Sequence, residues 1–201
     1  MRTLNRIAVY CASSNAVPER YFQAARDFGI LLAGQGIGIV YGGGRVGLMG
    51  ALADAAIAAG GEVIGVIPQK LMDLEVGHTG VTRLEVVETM ALRKGRMADL
   101  ADAFVALPGG IGTLEEISEA TSLAQLNYQD KPVGLYNCHG FWDALVAWLD
   151  HAAQEGFIRP IHRELVAVDS DPSRLIDRLR TAVIPRVEEW APQPPEVSQK
   201  A

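Results

Sequence analysis

The stretch AFVALPGGIGTLEE, residues 103–116, contains the transition that decides the fold. Residues 103–107 form a short apolar run typical of a buried β-strand, whereas residues 113–126 have the pattern of a helix. Three glycines stand between the two patterns, where a tight turn needs backbone freedom. The stretch therefore predicts a strand, a glycine-rich turn and a helix in succession, which is the repeating unit of an α/β fold.

The same alternation continues along the rest of the chain. Strands that alternate with helices are joined by crossover connections, and such connections give parallel pairing. We therefore predict a single Rossmann-like, doubly wound, mostly parallel sheet with helices on both faces. The predicted strands are residues 7–11, 37–41, 62–67, 83–87, 103–107, 133–136 and 165–168. The predicted helices are residues 18–33, 47–59, 89–100, 113–126, 142–154 and 172–183.

Length and composition are those of one compact domain. The chain has 201 residues, of which 49% are hydrophobic, and this suits a single sizeable core. We predict a nucleotide-binding catalytic domain at residues 1–184 and a proline-rich, flexible tail at residues 185–201. Residues 69–82 fit neither the strand nor the helix period, so they are predicted to form a loop or lid beside the ligand-binding edge.

Charge and cysteine usage exclude several classes of function. The formal net charge is −6, and no run of Lys or Arg forms a stripe that would neutralise nucleic acid. No apolar stretch reaches membrane-spanning length and no signal-peptide pattern is present, so we predict neither insertion nor export. Cys11 and Cys138 lie in strand-like runs without metal or redox spacing, which predicts reduced core thiols and a cytoplasmic protein. The four histidines have no ligand spacing, and no metal is predicted.

A second glycine cluster, YGGGRVGLMG at residues 41–50, also stands between a strand and a helix. Such a loop either binds an anion through its N–H groups and the helix dipole or is a tight turn that needs positive φ. Because two such turns would lie at the same sheet edge, we predict a bound phosphate, with Gly43 and Gly44 among its ligands. Ser14, which follows the first strand, is predicted either to bind the phosphate or to cap a local turn. The absence of a Gly-Lys-Ser/Thr ending disfavours a nucleoside triphosphatase.

The carboxylates at the start of the helix at residues 113–126 allow two interpretations. Thr113 and Glu116 have the spacing of a capping box, in which both side chains satisfy N–H groups of the first turn. Glu115 and Glu116 point about a quarter-turn apart, so only one of them can face a crevice well. Glu115 is predicted to be solvated, with a hydrogen bond to a sugar hydroxyl of the ligand as the alternative.

The motif PGGIGTLEE, preceded by Arg93-Lys94, resembles the LOG family of cytokinin riboside 5′-monophosphate phosphoribohydrolases. The resemblance covers nearly the whole chain, including CASS at residues 11–14, GVIP at residues 65–68 and KPVGL at residues 131–135. It implies hydrolysis of the N-glycosidic bond of AMP or an N6-substituted, cytokinin-type adenine nucleotide, to free base and ribose 5-phosphate, without a cofactor. It also implies a homodimer or larger homo-oligomer with the site near the subunit interface.

Site residues follow from the resemblance position by position. It implies that Arg93 and Glu116 are catalytic. The implied substrate-binding positions are Glu75, Lys94, Gly109, Gly110, Ile111, Gly112, Thr113 and Ser122. Two positions depart from the family pattern: Ala91 stands where histidine is frequent, and Leu123 where an aromatic residue is frequent. Substrate preference is therefore left open.

The chemistry of the bond explains why these residue types are needed. Cleavage of a ribosyl C–N bond develops positive charge on the sugar and negative charge on the base. Glu116 can stabilise the sugar cation or orient the attacking water. Arg93 can stabilise the departing base but cannot protonate it, because a guanidinium does not lose its proton in proteins.

Two other functions remain open at this point. A nucleotide-binding carrier or regulatory protein would use the same loops without chemistry. A pyridoxal-phosphate decarboxylase, a label attached to such proteins, would need Lys94 as its Schiff-base lysine. Without the resemblance, Arg93 and Lys94 would be interpreted as a solvated helix face. Apolar residues recur at helical spacing at Trp142, Leu145, Trp148 and Leu149, and they are predicted to lie in the core or a subunit interface.

Overall fold

A computed structural model describes residues 1–74 and 76–186. Within these ranges seven strands form one sheet in the order β4-β3-β2-β1-β5-β6-β7, and every neighbouring pair is parallel. The strands are β1 (Arg6–Tyr10), β2 (Gly38–Tyr41), β3 (Val63–Pro68), β4 (Arg83–Val87), β5 (Ala103–Ala106), β6 (Val133–Tyr136) and β7 (Val166–Asp169). The predicted α/β class is confirmed, and the sheet is parallel throughout.

Helices cover both faces of the sheet. They are α1 (Glu19–Gly34), α2 (Gly47–Ala58), α3 (Gln69–Asp73), α4 (Met90–Leu100), α5 (Ile111–Gln125), α6 (Asp143–Gln154), α7 (Pro160–Arg163) and α8 (Pro172–Thr181). Helices α1, α2 and α8 pack on one face around Phe28, and helices α4, α5 and α6 pack on the other around Met97. The inner strands are apolar without alternation because both of their faces are buried. None of the described helices is long and apolar enough to cross a membrane.

The position of the site follows from the strand order. The chain runs outward from β1 to β4 and then returns through α4 to β5, which pairs with the other side of β1. The connections after β1 and β5 therefore diverge, and this opens a crevice at the carboxyl ends of the strands. The N–H group of Ala12 donates to Pro108 O at 3.1 Å and joins the two diverging loops at its base.

Several predicted elements need correction. The segment 69–82 is not a loop throughout, because α3 occupies Gln69–Asp73. Helix α7 and a 3₁₀ turn at Cys138–Gly140 were not predicted, since four or three residues are too few to show a period. The other element ends differ from the prediction by no more than two residues. Residues 187–201 of the predicted tail lie outside the described residues, so the domain boundary stays a prediction.

Candidate active site

A cavity of about 320 Å³ lies at the point where the strand order reverses. We call it the main cavity. Its walls come from the end of β1 and the loop that follows, from the β2–α2 turn, from α4 and from the start of α5. Among the predicted site residues, those that line it are Ser14, Arg93, Gly110, Ile111, Gly112, Thr113 and Glu116. The structure thus brings together the two implied catalytic residues and the glycine turn at residues 109–112.

Arg93 on α4 and Glu116 on α5 form a buried ion pair. Arg93 Nη1 donates to Glu116 Oε1 at 3.1 Å, and each side chain is only 9% exposed. Arg93 Nε also donates to Val66 O at 3.2 Å, which fixes the plane of the guanidinium against β3. The solvated-face interpretation of Arg93 is therefore wrong.

The capping-box interpretation of Glu116 is also wrong. Helix α5 begins at Ile111 with Gly110 as its N-cap, so Thr113 lies inside the first turn. Thr113 is buried against Gly109, where a Cβ would overlap Thr113 Oγ1. The Glu116 carboxylate bonds Arg93 and does not cap the helix.

Gly42 is a site residue that the sequence analysis missed. A Cβ at this position would overlap Arg93 Nη2 and would lie 3.0 Å from Arg93 Cζ. Because Glu116 and Val66 already hold the guanidinium, it has little freedom to move away. The glycine triplet at residues 42–44 was the available signal, but it does not say which glycine faces an arginine.

The environment of Glu116 prepares it to act as a base or charge stabiliser. Burial raises the pKa of its carboxyl above the usual range, and the positive charge of Arg93 partly opposes this effect. The neighbouring carboxylate of Glu115 adds to the rise in pKa. A carboxylate whose pKa lies closer to neutrality is a better proton acceptor in a transition state.

The N-terminus of α5 offers an anion site. Within residues 1–74 and 76–186, the N–H groups of Ile111, Gly112 and Thr113 donate to no protein acceptor. Gly110 and Gly112 are exposed, and nothing lies within 4 Å of a Cβ built on either. Unpaired N–H groups and the helix dipole together attract a phosphate.

The first turn of α2 does not offer such a site, because its N–H groups already have acceptors. The Gly47 N–H donates to Asn15 Oδ1 at 2.8 Å. The N–H groups of Leu48 and Met49 donate to Ala12 O at 2.9 and 3.3 Å. The two glycine clusters therefore look alike in sequence and differ in which hydrogen bonds remain open.

Gly43 and Gly44 do not line the main cavity. Gly43 O accepts a hydrogen bond from His78 N–H at 2.9 Å, and Gly44 forms an isolated bridge with Gly77. The backbone of Gly43 has φ of +74°, as the tight-turn alternative requires. That these two glycines bind phosphate stays a prediction.

Ser14 and Ser122 have different surroundings. The Ser14 hydroxyl accepts from Ala16 N–H at 3.1 Å, so it caps a local turn while also lining the main cavity. Ser122 lies farther along α5, in a groove that it shares with Trp148 on α6. Glu75 lies outside the described residues.

Lys94 lies beside the main cavity and does not line it. Its Nζ forms ion pairs with Glu115 and, at 2.8 Å, with Glu119. Hydrogen bonds to these two carboxylates raise the pKa of Lys94, which favours the ammonium form over the neutral amine that a Schiff base needs. Glu115 is half-exposed, as predicted.

No group of three or more His, Cys, Asp or Glu among the described residues is arranged to hold a metal ion.

Comparison with known proteins gives a family and close relatives. A family model described as "possible lysine decarboxylase" matches residues 49–179. A probable cytokinin riboside 5′-monophosphate phosphoribohydrolase from Oryza sativa subsp. japonica is 43% identical over 195 residues, which is 97% of this chain and 77% of the relative. A cytokinin riboside 5′-monophosphate phosphoribohydrolase from Arabidopsis thaliana is 42% identical over 195 residues, covering 97% of this chain and 87% of that protein.

Solved structures share the fold at lower identity. The molybdenum cofactor binding protein from Rippkaea orientalis is 25% identical with a TM-score of 0.66, and the match covers 88% of this chain and 95% of that chain. The molybdenum cofactor carrier protein from Chlamydomonas reinhardtii is 24% identical with a TM-score of 0.65, over 86% and 93% of the two chains. The second likeness concerns the fold alone.

Proposed function

The chain belongs to the LOG family of cytokinin riboside 5′-monophosphate phosphoribohydrolases, and from this premise we propose that it is an N-glycosyl hydrolase of nucleoside 5′-monophosphates. Its products would be the free base and ribose 5-phosphate. The observation that carries the proposal is the buried Arg93–Glu116 pair, which lies in one cavity with the open N–H groups of α5. A protein that only bound nucleotide would not need a buried carboxylate, whose desolvation is costly.

The dimensions of α5 fit a ribose 5-phosphate. The open N–H groups begin at Ile111 and the carboxylate stands at Glu116, five residues further on. At a rise of 1.5 Å per residue, these groups are separated by roughly 7 Å along the helix axis. A phosphate on the N-terminus therefore leaves the ribose alongside α5, with its anomeric carbon toward Glu116.

The two charged groups then act on opposite sides of the bond that breaks. As the C–N bond lengthens, Glu116 stabilises the positive charge on the sugar and orients the attacking water. Arg93 stabilises the negative charge that develops on the base and keeps its own proton. The attacking water loses one proton as its oxygen bonds the anomeric carbon, and the departing base takes up one proton from solvent. Arg93 also holds Glu116 in place before substrate binds.

We propose AMP or an N6-substituted, cytokinin-type adenine nucleotide as the substrate, in keeping with the names of the relatives. Incubation of the pure protein with AMP is expected to release adenine and ribose 5-phosphate in equal amounts, measured by chromatography. Adenosine is the matched control, because it lacks the phosphate that the α5 N-terminus would hold, and its turnover is expected to be far lower. Nucleotide that binds tightly and stays intact would instead favour the carrier function.

We also propose a homodimer or larger homo-oligomer, joined through the face of α4, α5 and α6. Large apolar side chains are exposed on or beside these helices: Met90, Leu92, Leu126, Tyr128 and Trp148. Exposed apolar area of this kind is typical of interfaces. Because α5 also carries Glu116, this interface would lie beside the main cavity.

Light scattering tests the interface. Trp148 is 59% exposed, and Trp148→Asp is expected to lower the particle mass toward that of one chain. Ile30→Asp is the control, because Ile30 is 50% exposed on α1, which packs on the opposite face of the sheet. A Trp148→Asp protein that keeps the mass of the unmodified protein would contradict this interface.

The proposed compartment is the cytoplasm. Cys11 and Cys138 are both free and buried, and reduced thiols are the normal state there. We propose small-molecule nucleotides as the partners, since the net charge of −6 opposes nucleic acid.

A further inference from the structure

Tyr10 at the end of β1 has a buried ring and a hydroxyl group without a hydrogen-bond partner among the described residues. The residue is 4% exposed, and its ring stacks on Phe104 with the centroids 6.2 Å apart. Among the described residues no side chain or backbone group forms a hydrogen bond with Tyr10 Oη. In contrast to Tyr41 Oη, Tyr10 Oη keeps some accessible surface, and the residue borders open space.

That open space is shared with Glu116. A second cavity of about 140 Å³ lies between α4 and α5, and we call it the interhelix pocket. Tyr10 and Glu116 line both the main cavity and the interhelix pocket. The two residues therefore lie where the main cavity and the interhelix pocket adjoin.

One oxygen of the Glu116 carboxylate accepts no hydrogen bond from the described residues. Arg93 donates to Oε1, whereas no described group donates to Oε2, which is not fully enclosed either. A carboxylate has room for about four hydrogen bonds. A buried carboxylate with one donor is poorly compensated for the water that it loses. Among the described residues, Tyr10 thus has a donor without an acceptor and Glu116 an acceptor without a donor, and both residues line the same two cavities.

We propose that Tyr10 is a positioning residue for Glu116, donating its hydroxyl hydrogen to a water that in turn donates to Glu116 Oε2. Both cavities have room for such a water, and a buried water needs two or more polar partners, which the hydroxyl and the carboxylate supply. The bridge holds the carboxylate ionised and fixes its orientation toward the substrate. The catalytic consequence rests on the proposed function, whereas the bridge itself does not.

The protonation state of Tyr10 suits a donor. Burial raises the pKa of its hydroxyl, and the negative charge of Glu116 raises it further, so the hydroxyl keeps its hydrogen at neutral pH. The other charged or titratable groups around Glu116 are Arg93 and Lys94 on α4, Glu115 and Glu119 on α5, and Cys11 after β1. Tyr10→Phe leaves all of these unchanged.

The pKa of Glu116 is the direct test, and it needs no substrate. A donor to a carboxylate favours the charged form, so Tyr10→Phe is expected to raise the pKa of Glu116 by roughly one unit. The measurement is a ¹³C NMR titration of the glutamate carboxyls in the substrate-free protein, with the Glu116 signal assigned from Glu116→Gln. Phenylalanine keeps the ring that stacks on Phe104, and thermal unfolding checks that the fold is retained.

Tyr41→Phe is the matched control. Tyr41 ends the neighbouring strand β2 and is fully buried, and its hydroxyl has no partner in the part of the chain that the structure describes. It packs with the α1–α2 layer on the opposite face of the sheet. Its replacement is expected to leave the Glu116 titration unchanged. If the Glu116 titration in Tyr10→Phe matches that of the unmodified protein, the bridge is overturned, whether or not base is released.

Kinetics give the second measurement. With AMP as substrate, Tyr10→Phe is expected to shift the acidic limb of the plot of kcat against pH upward by roughly one pH unit, as in the NMR titration. The KM is expected to stay unchanged. An equal loss at all pH values, with no displaced limb, would indicate a merely structural role and would reject the proposal. If the unmodified protein releases no base at all, the proposed function fails and the NMR titration alone decides the bridge.

Discussion

Glu116→Gln is expected to reduce kcat for base release by about 10³-fold, while nucleotide affinity changes by less than about threefold. Glutamine keeps the shape of the side chain and an oxygen that can accept from Arg93 Nη1. It removes the negative charge that stabilises the sugar cation and orients water. The phosphate site on α5 lies in the first turn of the helix and is unaffected.

Glu115→Gln is the control for this variant. Glu115 is adjacent in sequence, half-exposed and paired with Lys94, and it does not line the main cavity. It is expected to leave kcat within about threefold of the unmodified value, since an exposed ion pair contributes little. Single-turnover assays with AMP and calorimetric titration with ribose 5-phosphate separate chemistry from binding. Equal activity in Glu116→Gln and the unmodified protein would remove Glu116 from the mechanism.

Much of the fold was predictable because buried parallel strands have a strong sequence signal. The predicted bounds of β4 and β6 agree with the structure, since each is a short apolar or β-rich run beside residues that break strands. The helices were recognised from their period, and their ends were less certain because helix caps depend on local geometry. Gly110, with no side chain, caps α5, so the Thr-x-x-Glu spacing at residues 113–116 was misleading.

The candidate site was predictable in part. The motif at residues 108–116 indicated the loop whose N–H groups stay open. For the glycine cluster at residues 41–50, tertiary contacts decide which N–H groups stay open, and the sequence does not show those contacts. Asn15, 32 residues before Gly47, supplies the oxygen that occupies the first turn of α2. No local pattern around residues 41–50 could reveal that contact.

The close approach of Arg93 to Gly42 could not be predicted from the sequence either, because it too is a tertiary contact. Arg93 stands on α4 and Gly42 follows β2, and they meet only because α4 crosses back over the sheet. An arginine on an amphipathic helix is normally solvated, so its burial becomes visible only once the carbonyl of Val66 and the carboxylate of Glu116 are in place. The site therefore needs a residue without a side chain at position 42, because any Cβ there would displace the Arg93 guanidinium.

Gly42→Ala is therefore expected to reduce kcat/KM for AMP by about 10²-fold, a loss close to that from removing an electrostatic stabiliser of a transition state. The backbone of Gly42 is outside the positive-φ region, so alanine adopts it without strain. The added methyl group would overlap Arg93 Nη2, whereas its approach to Met49 Sδ at 3.1 Å can be relieved by movement of a flexible side chain. The guanidinium must then leave either Glu116 or Val66.

Gly95→Ala distinguishes this steric effect from a general response to glycine replacement. Gly95 lies two residues from Arg93 on the same helix, and nothing lies within 4 Å of a Cβ built there. Alanine at this position is expected to leave kcat/KM unchanged and to raise the free energy of unfolding by about 0.5–1 kcal/mol. If Gly42→Ala were as active as Gly95→Ala, the orientation of Arg93 would be irrelevant to catalysis, and Glu116 would act without its guanidinium partner. A loss confined to Gly42→Ala, with unfolding temperature maintained, would instead assign the effect to the position of one charged group.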